Sequence, residues 1–107
     1  MNLNESDFRN HLDSTHGHVV ACFSAVWCGP CRAFKPVFES AEKKFENVSF
    51  VRLDVDECTQ LCQDLNIGVV PTAVLLRDGK VLAMKEGGFQ TESHFIDWLN
   101  SQGIKRK

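Results

Sequence analysis

The chain has 107 residues, 43% of them hydrophobic, which is enough for one domain around one core. Twelve basic residues stand against 14 acidic ones, a formal net charge of −2, and this argues against a nucleic-acid binder with its basic face. The longest nearly apolar run, Val19 to Cys28, is too short to span a bilayer. Met1-Asn2-Leu3-Asn4-Glu5 has neither the basic nor the apolar part of a secretory leader, so a cytoplasmic location is the expectation. The five cysteines agree with it, because their odd number and close spacing do not read as a secreted disulfide framework.

Asn4 is placed to cap a first helix over residues 5–13, with Phe8 and Leu12 on its inner face. Residues 19–25 are apolar on both faces, as a central strand of a covered sheet should be. The next helix runs to about residue 45, and Phe34, Val37, Phe38, Ala41 and Phe45 recur at helical spacing. Pro36 lies inside it and should kink it. Residues 48–55 form the next strand, and Asp56 then caps a short helix over residues 57–65. Pro71 opens a strand over 72–77, Asp78-Gly79 is a two-residue hairpin signal, and 81–86 is the returning edge strand. Thr91 caps a last helix with Phe95, Trp98 and Leu99 inside, and Gly103 ends it. Ile104-Lys105-Arg106-Lys107 reads as a solvated basic tail.

Chemistry concentrates at Trp27-Cys28-Gly29-Pro30-Cys31, between the central strand and the long helix. The dipole of a helix favours an anion at its N-terminus by about 0.3–1 kcal/mol, and free N–H groups of the first turn add hydrogen bonds, so a thiolate is stabilised there. Cys28 lies outside the first turn and is expected to face out, which makes it the better nucleophile. Cys31, three residues on, shares its helix face and can attack a bond made to Cys28. Pro30 suits a first-turn position where a missing N–H costs nothing, and Gly29 leaves room for another backbone. A lone C-x-x-C is a weak signal, since metal sites share it.

The motif and its flanks resemble the thioredoxin family, most of all its eukaryotic cytosolic members. Phe23-Ser24-Ala25, Arg32, Pro36, Val70-Pro71-Thr72 and Gly87-Gly88 all fall where that family has recurring features. The resemblance covers nearly the whole chain. It implies one α/β thioredoxin domain over residues 1–107, with a mixed four- to five-stranded sheet flanked by four helices. The first edge strand, limited to residues 1–3, would be very short or absent. The first three strands would be parallel through right-handed crossovers, and the last hairpin adds antiparallel pairing.

The implied function is protein-disulfide reduction by thiol–disulfide exchange. Cys28 attacks a substrate disulfide, Cys31 resolves the mixed disulfide, and a Cys28–Cys31 disulfide remains. A thioredoxin reductase would regenerate the dithiol with electrons from NADPH, and no bound cofactor is implied. Clients would be of the peroxiredoxin, ribonucleotide reductase and methionine sulfoxide reductase types, and the protein would be a monomer. Trp27 would be an apolar platform beside Cys28, or else a core aromatic. In the family the bond before the counterpart of Pro71 is cis, which leaves the Val70 backbone to pair with an extended substrate segment; otherwise Pro71 is an ordinary strand-start proline. Gly87 and Gly88 would form the far lip of the groove, or simply a strand-ending turn.

Three departures stand out. Cys22 occupies the place of a buried aspartate thought to exchange a proton with the second active-site cysteine. Its simpler reading is a small buried hydrophobe; even so, no acid remains to take the proton of Cys31, and a buried thiol is a poor substitute base. Water or the departing thiolate would then take that proton, and resolution would be slower. Arg52 stands where a lysine often accompanies the aspartate, and reads as a solvated strand-end charge. Cys58 and Cys62 share a helix face at i and i+4, where a disulfide would strain the helix; packing and a regulatory role both remain open for them. His11, His16, His18 and His94 have no metal-site spacing and read as mostly solvated. Two other functions stay in view: a binding module that uses the fold as a scaffold, and a metal protein with four sulfurs from Cys28, Cys31, Cys58 and Cys62.

Overall fold

The computed structural model describes residues 1–106. Its elements are α1 (Glu5–Ser14), β1 (His18–Ser24), α2 (Gly29–Glu42), β2 (Val48–Asp54), a 3-10 turn (Val55–Glu57), α3 (Thr59–Leu65), β3 (Thr72–Arg77), β4 (Lys80–Glu86) and α4 (Glu92–Ser101). The strand order is β2-β1-β3-β4, with β1 parallel to β2 and antiparallel to β3, and β3 antiparallel to β4. The expected first edge strand is reduced to one parallel bridge between Asn2 and Arg52. No helix among the described residues is long and apolar enough to cross a membrane.

β1 lies at the centre and is buried on both faces from Val19 to Phe23. Its alternate residues feed two cores, as the period of two requires. Val20 and Cys22 join Phe34, Phe38, Phe50 and Phe95 under α2 and α4. Val19, Ala21 and Phe23 join Phe8, Leu61 and Cys62 under α1 and α3. Side-chain caps hold the helix starts: Asn4 accepts the Asp7 N–H at 2.8 Å, and Thr91 accepts the His94 N–H at 3.2 Å. At the hairpin, Asp78 and Gly79 both take positive φ, 53° and 77°, as a turn matched to strand twist demands.

Three expectations change. α2 ends at Glu42 rather than near residue 45, although Phe45 stays buried from the following turn. Asp56 caps nothing: the Asp54 side chain accepts the Asp56 N–H at 2.9 Å and starts the 3-10 turn, and Cys58 is the N-cap of α3. Ile104 is not part of a solvated tail. It is buried in the α2–α4 core, and its N–H donates to Leu99 O at 3.1 Å after the chain turns at Gly103, φ 87°. Lys105 and Arg106 are exposed, and Lys107 lies outside the described residues.

Candidate active site

The central strand delivers the chain to the N-terminus of α2, and Pro30 sits in the first turn of that helix. Cys28 is the N-cap, and its sulfur takes the position usually held by a serine or aspartate oxygen. The Cys31 N–H donates to Cys28 Sγ at 3.2 Å, while the Cys28 S–H points at Val70 O, 3.7 Å away. The expected outward-facing Cys28 is not observed: both cysteines are 6% exposed, in a small cluster with Ala25 that packs on Val70. What separates them is the hydrogen bonding of each sulfur. Burial, and then the Cys28 hydrogen bond, push the Cys31 thiol up to about 11, whereas the Cys28 sulfur receives a backbone donor.

Trp27 is 64% exposed, with Val26 and Val69 also exposed, so it is a surface platform and not a core aromatic. Its Nε1–H donates to Asp56 Oδ2 at 2.9 Å. Asp56 is thus a site residue that the sequence reading missed, because Asp56 read as the cap of the following helix. The Val70–Pro71 bond is cis, as the resemblance implies. Gly87 donates its N–H to Pro71 O at 2.7 Å and brings the end of β4 beside the proline. At Gly88 the reason for glycine is internal. Its φ is 64°, and a Cβ would lie 3.1 Å from both Phe34 and Pro71, so packing already excludes a side chain there. Gly29 would meet nothing, which leaves the space over the motif open.

Behind the dithiol a cavity of about 600 Å³ is lined by Cys22, Cys31, Arg32, Arg52, Asp54 and Glu57, among others. Cys22 is only 4% exposed, and burial first, then the neighbouring Cys31, pushes its thiol up to about 12. Arg52 is not a solvated strand end: it is half-buried and pairs with Glu39 at 3.4 Å. Cys58 and Cys62 belong to the α1–α3 core and not to the dithiol cluster, so the four sulfurs do not converge. Among the described residues no three ligating side chains are grouped to hold a metal ion. Cys58 lies before the first turn of α3, not in it, and burial pushes its thiol up to about 12. Of the histidines, His16 and His94 are exposed, but His11 and His18 are half-buried, and desolvation lowers the His18 pKa.

A central strand feeding two cysteines into a helix N-terminus, opposite a cis-proline at a sheet edge strand's partner, defines a dithiol site on the thioredoxin fold. The sequence profile of the family described as Thioredoxin matches residues 1–101, and the chain belongs to that family. It is 41% identical to Thioredoxin H2 of Arabidopsis thaliana over 71 residues, 66% of this chain and 53% of that protein. It is 39% identical to the thioredoxin of Oryctolagus cuniculus over 77 residues, 71% of this chain and 73% of that one. The match therefore spans about half the length of the plant relative. Among solved structures, a thioredoxin from Nicotiana alata superimposes with a TM-score of 0.86 at 26% identity, covering 100% of this chain and 92% of the other.

Proposed function

We propose that residues 1–107 act as a single thioredoxin domain and reduce protein disulfides by thiol–disulfide exchange, with Cys28 as nucleophile and Cys31 as resolving cysteine. The observation that carries this reading is the asymmetric pair: Cys28 Sγ receives the Cys31 N–H at 3.2 Å, while burial raises the Cys31 thiol. A backbone N–H points at the sulfur where attack must start, and the second thiol keeps its proton until the mixed disulfide has formed. Cys28 thiolate then bonds to one substrate sulfur and expels the other as thiolate. Cys31, losing its proton, attacks Cys28 Sγ and releases the second substrate sulfur. Two electrons pass to the substrate, and a Cys28–Cys31 disulfide stays behind.

The exposed Trp27 receives the apolar part of the substrate, and the Val70 backbone beside Cys28 pairs with its extended chain. Gly87 and Gly88 keep the opposite lip low. Cys22 serves as a small buried hydrophobe of the α2–α4 core rather than as a base for Cys31. A cytoplasmic reductase drawing on NADPH would restore the dithiol, and peroxiredoxin, ribonucleotide reductase and methionine sulfoxide reductase types would be clients. The test is insulin disulfide reduction with dithiothreitol, beside Cys28→Ser. A clear rate that the substitution abolishes is expected. A background rate in the unaltered protein would sink the proposal and return the fold to a binding role.

A further inference from the structure

Beyond the Gly87–Gly88 lip lies a recess of about 420 Å³ that the mechanism above does not use. Lys85, Phe89, Gln90 and His94 line it together with the two glycines. It therefore continues the groove outward from the cis-proline, to which the Gly87 N–H is tied at 2.7 Å. Its floor is packed from behind. Phe89 stacks on Phe95 with ring centroids 5.2 Å apart and leans on Trp98 at 5.5 Å. The Lys85 ammonium sits over the Phe89 ring, 5.9 Å from its centroid, and donates to Glu86 O at 3.4 Å. A cation held over a packed aromatic face has given up part of its side-chain freedom before any ligand arrives.

The recess also has a sign. Among the described residues Glu86 is the one acidic member of its lining, and its side chain faces away. Lys85 pairs across β3 with Ala73 of the α2–α4 core, so it shares that face; Glu86, the next residue along the strand, takes the other. Glu92, in the first turn of α4, is turned to α2, where the Ser40 Oγ–H donates to it at 2.7 Å and Lys44 pairs with it. No carboxylate among the described residues forms an ion pair with Lys85. The Trp27 side of the groove has the opposite character, with Asp56 on the indole and Glu57, next to it in the chain, exposed.

We propose that this recess receives an acidic side chain of the client, with Lys85 taking the carboxylate and Gln90 and His94 supplying further donors. The inference rests on the reductase reading, which places an extended client chain in the groove, and it names the client class: disulfides flanked on one side by aspartate or glutamate. A chain paired with the Val70 backbone rises about 3.3 Å per residue, so an acid a few residues from the reacting cysteine, on the lip side, reaches Lys85. On the other side the same acid meets Asp56 and Glu57 and gains nothing. The pair stays in contact with water, so the gain is about two- to fivefold in affinity.

The experiment uses the full chain and short peptides with one Glu a few residues before or after a central position, each beside its Gln counterpart. Peptides with serine at the centre report binding alone, through the amide shifts of Gly87, Gly88 and His94 on titration. Homodisulfides of the peptides with cysteine at the centre, mixed with the pre-reduced protein in single turnover, report the chemistry. Glu on one flank should bind about two- to fivefold tighter than Gln, and Glu on the other flank should not. In turnover the half-saturating concentration should fall by the same factor, with equal maximal rates for the Glu and Gln peptides. High salt and Lys85→Gln should each remove the gain, and Lys85→Arg should keep it. Equal affinity for Glu and Gln peptides overturns the proposal. So does a gain that survives Lys85→Gln or comes equally from both flanks. A Lys85-dependent preference in binding with no disulfide reduced would uphold the pocket and sink the reductase reading alone.

Discussion

At the scale of single residues, the telling position is Cys22. It lines the same rear cavity as Cys31, and it places there a thiol held near 12 by burial instead of an acid. Cys31, held near 11, has no carboxylate at position 22 to take its proton. Only the thiolate of Cys31 resolves a mixed disulfide, and below about 11 that fraction rises about tenfold per pH unit. Resolution in the unaltered protein is therefore expected to climb steeply with pH through neutrality. Cys22→Asp should speed it near pH 7 and flatten the profile, while Cys22→Asn, of similar size but not basic, should not. Stopped-flow Trp27 fluorescence on a preformed mixed disulfide reads both. Equal rates in all three proteins would mean that the proton leaves by a route indifferent to position 22.

The elements show where local signals suffice and where they compete. The strand over 72–77 and its Asp78-Gly79 turn emerged with their expected bounds, because turn chemistry and burial pattern agree there. The 3-10 turn before α3 did not, since Asp54 and Asp56 both have cap chemistry and only packing decides that Asp54 caps while Asp56 turns to Trp27. Proximity of Cys58 to Cys62 was legible from spacing; the non-helical backbone of Cys58 was not. The dithiol itself was readable because strand, proline and cysteines are adjacent in sequence, but the rear cavity joins four separate segments and leaves no local trace. The end of the chain was misread for a related reason. Three basic neighbours mask one apolar residue, and Ile104 docks only because Gly103 turns the chain back onto Leu99. Ile104 is 3% exposed, so Ile104→Ala should cost about 2–4 kcal/mol, seen as a lower urea midpoint at unchanged slope. A change within a few tenths would show that the segment after α4 contributes no packing.

At the scale of the whole molecule, Cys22, Cys31, Cys58 and Cys62 make stability depend on pH from the alkaline side. All five are reduced and buried. For Cys22 the thiol moves from an ordinary value of 9.0 up to about 12, chiefly through burial, and Cys31 and Cys58 move the same way. The folded state therefore holds these protons more tightly than the unfolded chain does. Below about pH 9 both states are protonated and the contribution is fully present. Above it the unfolded chain ionises first and binds fewer protons, so stability falls as pH rises towards 12. One such thiol contributes a slope of at most about 1.4 kcal/mol per pH unit. Cys22→Ala isolates its share. Near pH 7 the variant should be less stable, because it loses a buried sulfur from the α2–α4 core. Between about pH 9 and 11 its urea midpoint should decline less steeply than that of the unaltered protein, and the gap should narrow. Parallel curves, recorded in reductant over that interval, would show that position 22 ionises alike in both states and that the core around β1 admits water.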